Sequence, residues 1–256
     1  MKPIFADFVR IIYGGENYVH VPSAWDLRLS EQGYYNSRLI LGPNAFALWR
    51  NVFFSVWFSG DVRVIGDSAF NSCIFLQDVD LSNISSALEE IGAYAFSGCS
   101  MMMIHYTTWS DVLREVYDLP PNITKIGAGA FMNCNSLEHI TIPLKVKEIE
   151  EETFAGCIQL HSVAMPTTLG KIGTKAFYNC KALGAISIPK MCTDIGELAF
   201  YHLSSLTNIM VEDGNESYKV EHGCLLSVDG AVLHAAAAGQ SRIEMPDTVT
   251  QIPCEE

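Results

Sequence analysis

The sequence holds no apolar run long enough to cross a bilayer. Its best, VFFSVWF at 52–58, is strand-sized against the roughly 20 residues a spanning helix needs. Positive charge is also scarce: 16 Lys+Arg face 29 Asp+Glu, a formal net charge of −13. The basic stripe that neutralises phosphates is therefore missing, and nucleic acid and anionic membrane are poor partners. Among the seven histidines none is spaced H-x-x-x-H or H-E-x-x-H, and among the eight cysteines none is paired as C-x-x-C, which removes the usual metal-binding frames. There is no G-x-S-x-G elbow, no P-loop and no dinucleotide glycine fingerprint. The acidic run Glu150, Glu151, Glu152 is contiguous, whereas paired catalytic carboxylates need a gap wide enough for substrate. The expectation is of a chain with no catalytic residue, no metal and no cofactor.

What is present is apolar and periodic. With 256 residues, 49% of them hydrophobic, the chain can bury a large core. Phe131, Phe154, Phe177 and Phe200 follow one another at intervals of 23 residues. Leu137, Leu160, Leu183 and Leu206 keep the same interval, as do Ile140, Val163, Ile186 and Ile209, while Pro143, Pro166 and Pro189 punctuate three copies. The unit is L-x-x-I-x-I-P-x-x-V-x-x-I-G-x-x-A-F-x-x-C. Upstream, Phe53, Val56, Phe58, Val62, Ile65, Ala69, Phe70 and Cys73 fill the same slots, followed by a longer copy from Leu76 to Cys99. LGPNAF at 41–46 is an earlier echo, with VHVP at 19–22 as its strand and an insertion between them. A second insertion near MMMIHYTTWSD at 101–111 stretches the Phe96 to Phe131 interval to 35. Downstream, IEMP at 243–246 with Val249 and Ile252 restarts the pattern, giving about eight copies and a fragment.

Each copy reads as a short strand ended by proline, which cannot donate to the next ladder bond. The x-x-A-F-x-x-C half is too short for an ordinary helix and predicts a single helical or 3₁₀ turn. No copy can bury its own face, so the stack is the folding unit. Stacking puts the strands into a parallel sheet with the L, I and I side chains inward, facing the Phe of the opposite wall. Repeated cysteines then form an interior ladder, packed as small hydrophobes. The copy that carries Leu203 in the cysteine slot fits a packing role and not a ligand role.

The phrases IGDSAFNSC, IGAYAFSGC, IGAGAFMNC and IGTKAFYNC resemble the BspA-like subgroup of leucine-rich repeats, over most of residues 16–256. The segment VEDGNESYKVEHGCLLSVDGAVLHAAAAG is similar to that family's occasional longer unit, with CLLSV and AVLHA flanking a two-residue turn at Asp229-Gly230. The resemblance implies a repeat solenoid, a right-handed leucine-rich-repeat superhelix with a parallel β-sheet on one face and short turns or 3₁₀/helical turns on the other. It also implies adhesion on or outside the surface of host-associated bacteria and some protists. In MKPIFADFVRIIYGG, however, Asp7 and Arg10 interrupt any export signal, so no leader or anchor is visible.

Three regions are expected: an irregular 1–52 with an early degenerate repeat, a solenoid over 53–211, and a hairpin-interrupted repeat with the start of a further copy over 212–256. Strand residues flanking the inward Ile or Val should point outward. They form one row of Ser55, Asp78, His139, Ser162, Ala185 and Asn208 and another of Trp57, Asp80, Thr141, Ala164, Ser187 and Met210. Trp57 beside Asp78 and Asp80 is the candidate partner-binding centre, joined by His139 and by Trp109 at the end of the apolar loop holding Met101, Met102, Met103 and Tyr106. The functional expectation is a non-enzymatic binding module for a protein or glycan, cell-surface or secreted. The alternatives are a spacer or stalk segment of a larger surface protein, suggested by a chain that stops mid-copy, and an intracellular interaction scaffold.

Overall fold

The structure, a computed structural model, describes residues 26–29, 39–47, 54–58, 62–82, 86–105 and 119–253. Two strands recur in each coil. The first kind comprises β1 (Asp26–Leu29), β3 (Phe54–Phe58), β5 (Leu76–Asp80), β7 (Met103–His105), β9 (His139–Thr141), β11 (Ser162–Ala164), β13 (Ala185–Ile188) and β15 (Asn208–Val211). Between them lie β2 (Leu39–Leu41), β4 (Val62–Ile65), β6 (Glu90–Ile91), β8 (Lys125–Ile126), β10 (Glu148–Ile149), β12 (Lys171–Ile172) and β14 (Asp194–Ile195). The first kind pairs in parallel as β1-β3-β5-β7, β9-β11 and β13-β15, and the second as β2-β4-β6-β8 and β10-β12-β14. The solenoid thus has a second parallel ladder where the repeat pattern announced a single sheet. V-x-x-I-G supplies it: the glycine N–H of each coil bonds back to the preceding Ile carbonyl, as Gly92 does to Ile65 and Gly173 to Ile149, both at 2.7 Å.

Two details of the repeat reading change. The first described strand is β1, paired in register with β3, while VHVP at 19–22 lies outside the described residues. MMMIH is not a loop: Met102 is buried in the leucine slot, and Met103–His105 is β7, with Ile104 aligned to Val79. An unbranched methionine standing in for leucine, one residue closer than usual to its inward partner, hid this strand in the sequence.

The A-F segments form hydrogen-bonded turns rather than helix, for a backbone reason. A residue with positive φ stands on either side of each of six wall phenylalanines and the Ala or Thr before it: Ser68 and Ser72, Tyr94 and Gly98, Gly129 and Asn133, Glu152 and Gly156, Lys175 and Asn179, Leu198 and His202. A left-handed residue at every fourth position cannot continue a right-handed helix. It aims alternate N–H groups along the stack instead. Lys175, Phe177 and Asn179 donate to Glu197, Ala199 and Tyr201 of the next coil, while Ala176, Tyr178 and Cys180 donate three residues back within their own. Each strained residue costs on the order of 1–3 kcal/mol, and the inter-coil bonds it permits offset that cost.

Inside, the wall phenylalanines stack as foreseen. Centroids along Phe46, Phe70, Phe96, Phe131, Phe154, Phe177 and Phe200 are 4.9 to 5.7 Å apart, with planes within 14° of parallel. Phe58 of β3 meets Phe70 edge-on across the core, 6.3 Å between centroids. The buried cysteines of these turns do more than fill space. Cys73, Cys99, Cys134, Cys157 and Cys180 each donate Sγ–H to the Phe carbonyl of the coil before, at 3.1 to 3.2 Å. Burial, the largest influence on each, pushes the Cys157 thiol up to about 12 and raises Cys99, Cys134 and Cys180 well above their ordinary value.

An antiparallel meander closes the described chain: β16 (Tyr218–Glu221), β17 (Cys224–Ser227) and β18 (Leu233–Ala236). The two-residue turn falls at His222-Gly223, both with positive φ, and not at Asp229-Gly230. That pair sits inside the longer β17–β18 connection, where the Asp229 carboxylate accepts from Ser227 Oγ at 2.6 Å and Ala231 N at 3.0 Å. Cys224, Leu226 and Leu233 form a small core of their own with Ile243 and Val249. IEMP forms no strand. The proline turn (Val249 N to Pro246 O, 3.1 Å), the inter-coil bond from Thr250 N to Ala231 O (2.9 Å) and a Val232–Gln251 bridge repeat the pattern there.

Candidate binding face

The outer face of the first ladder is a regular surface that the repeats create, and pairing register fixes which residues share a row. Arg28, Trp57, Asp80 and His105 are aligned on β1, β3, β5 and β7, and Asp26, Ser55, Asp78 and Met103 form the row beside them. Three of the candidate residues, Trp57, Asp78 and Asp80, therefore occupy neighbouring register positions. Repeat spacing already pointed to those three. Arg28, His105 and Met103 did not emerge from the sequence, because both flanking strands were placed elsewhere. Asp80 is half-buried, and its Oδ1 accepts from Ser82 N at 2.8 Å and from the Ser82 hydroxyl, which fixes the carboxylate at the end of β5. Trp109 lies outside the described residues.

Further along, the rows continue as Ser162 against His139 and Ala164 against Thr141, then Ala185 against Asn208 and Ser187 against Met210. His139, on β9, is exposed, with Nδ1 2.8 Å from Ser162 Oγ and its ring 5.9 Å from that of His161. A hydroxyl held by an imidazole is the start of a nucleophile pair. This one stands on a strand face, with His139 and Ser162 both exposed, and the Ser162 N–H is turned to Glu138 O at 3.4 Å. Among the described residues, no cluster of three or more His, Cys, Asp or Glu side chains could hold a metal ion, and no helix is long and apolar enough to cross a membrane.

Stacked coils with two parallel strand ladders, a recurring leucine slot before the longer strands and a phenylalanine-cysteine wall define a leucine-rich-repeat solenoid. The chain belongs to the BspA type leucine rich repeat region family, whose repeat matches in six copies over residues 39–118 and 104–222. A solved leucine rich cell surface protein from Faecalibacterium prausnitzii A2-165 shares the fold, with TM-score 0.67 and 24% identity, over 86% of this chain and 62% of that one. A leucine-rich repeat protein from Eubacterium ventriosum ATCC 27560 matches over 89% of this chain and 50% of that one, at 21% identity and TM-score 0.48. The T. pallidum leucine rich repeat protein matches over 62% and 77%, at 25% identity and TM-score 0.43. The chain thus spans less than two-thirds of the length of the first two. No curated protein matches it.

Proposed function

We propose that this chain is a non-enzymatic binding module of a cell-surface or secreted leucine-rich-repeat protein, serving adhesion by presenting its strand face to a protein partner. The observation that carries the reading is the row Arg28, Trp57, Asp80, His105 with Asp78 alongside. Tryptophan is the side chain most enriched at interface hot spots. Carboxylates beside it, in a chain of net charge −13, favour a partner surface bearing lysine or arginine. The later rows, mainly small residues, act as scaffold. His139, on β9, is a further candidate contact, and Trp109 is retained as a candidate from the sequence. The F. prausnitzii protein, named for its place on the cell surface, supports the location.

Surface plasmon resonance of the intact chain against a panel of extracellular-matrix and epithelial surface proteins, run beside a glycan array, tests this reading. Saturable, salt-sensitive binding to at least one protein is expected. Absence of specific binding to every member favours the spacer reading instead.

A further inference from the structure

We propose that His139 and His161 form a two-imidazole site on the strand face for a borderline divalent transition-metal ion such as Zn²⁺ or Ni²⁺, independent of what the Trp57 region binds. His139 lies on β9, and His161 stands one residue ahead of β11. They are one residue short of the 23-residue repeat apart, so no local metal motif contains both, and stacking the coils brings them together. The Ser162–His139 register and the bond from His161 N to Glu138 O at 2.7 Å set this diagonal across the two coils. The ring centroids are 5.9 Å apart with 37° between planes, and both side chains are exposed. Two imidazoles that share a tetrahedral ion at about 2.0–2.1 Å per nitrogen have centroids about 5 Å apart. The pair therefore has to close by about 1 Å, which rotation of two exposed side chains supplies.

The donor set selects the ion. A metal at Nε2 of His139 requires the ring hydrogen to sit on Nδ1, and the Ser162 hydroxyl, 2.8 Å from Nδ1, is placed to accept it. Such an outer hydrogen bond fixes the tautomer and the ring orientation of a metal-bound histidine. No hydrogen bond engages the His161 side chain among the described residues, so either of its nitrogens can ligate. Neutral imidazoles suit zinc, nickel and copper, whereas calcium and magnesium take oxygen ligands. Two protein ligands leave the remaining positions to water or to a donor from a partner on the strand face, which makes this an exchangeable surface site and not a closed structural one. The net charge of −13 raises the local concentration of cations around the chain.

Isothermal titration of the intact, untagged chain with zinc chloride and with nickel chloride tests the proposal. Saturable binding with a micromolar Kd is expected at neutral pH, and its loss below about pH 6, where the imidazoles hold protons instead. His139→Ala and His161→Ala should each weaken that binding about tenfold or more, one of the two protein ligands being lost, whereas Trp57→Ala should leave it unchanged. Should either histidine variant not fold, the unmodified chain decides: substoichiometric Ni²⁺ should broaden the imidazole proton resonances of His139 and His161 ahead of those of the other histidines. The proposal is overturned by the absence of saturable binding of both ions, by wild-type affinity in either histidine variant, or by broadening led by another histidine. Equal competition from calcium chloride overturns it as well.

Discussion

Cys157 donates its thiol hydrogen to the main-chain carbonyl of Phe131, 3.1 Å away and one coil earlier. That carbonyl also accepts Cys134 N at 3.1 Å, so removing the thiol leaves it bonded. Cys157→Ala should therefore cost about 1 to 2 kcal/mol, one hydrogen bond and a small cavity. Phe154→Ala, which opens the stacked wall, should cost about 3 to 5 kcal/mol. Urea unfolding monitored by circular dichroism checks both values. Equal losses would show that the two ladders are not distinct in energy.

The same burial makes a pH prediction. Cys157 titrates near 12 in the folded chain, and Cys99, Cys134 and Cys180 are raised well above the ordinary value of about 9, chiefly by desolvation. The folded chain holds these protons more tightly than the unfolded chain does. Their contribution is therefore present in full below about 9 and is lost as pH rises from about 9 towards about 12. Urea midpoints should stay level to mildly alkaline pH and then fall, less steeply in Cys157→Ala. Iodoacetamide should modify Cys134, Cys157 and Cys180 only at the rate of unfolding. Rapid alkylation of the folded chain would contradict their burial.

Gly129 and Tyr94 make a coupled pair. Gly129 has φ +60°, and a Cβ built there falls well inside van der Waals contact with the Tyr94 ring of the preceding coil. Gly129→Ala should cost about 1 to 3 kcal/mol from its left-handed backbone, plus the clash. Tyr94→Ala in the same chain should recover the clash and leave the backbone part. A double-mutant cycle by urea unfolding measures this, and strict additivity would show that the ring does not occupy the glycine's space.

Much of the architecture was legible because many slots agreed over several copies: Phe131 to Phe200 marked one wall, and Ile140 to Ile209 the other. What stayed hidden was backbone geometry. Glu152, Lys175 and Leu198 give no sign of a left-handed residue, since glycine or asparagine is the usual marker. The extra parallel ladder was disguised by its two-residue strands, such as Lys171–Ile172. The thiol-to-carbonyl bonds needed the coil spacing, which no single copy contains. Trp57 beside Asp80 was readable from repeat register alone. His161 was not linked to His139, because the two lie nearly a repeat apart until coils are stacked.

The most direct test of the strand-face account is Trp57→Ala, assayed for affinity and thermal stability on the same purified variant with the protein partner recovered from the binding panel. The account predicts a loss of about 1 kcal/mol or more, roughly fivefold in Kd, with the thermal midpoint nearly unchanged. Unchanged affinity would place recognition elsewhere on the solenoid, and a collapsed thermal midpoint would make Trp57 a structural residue; either contradicts the account.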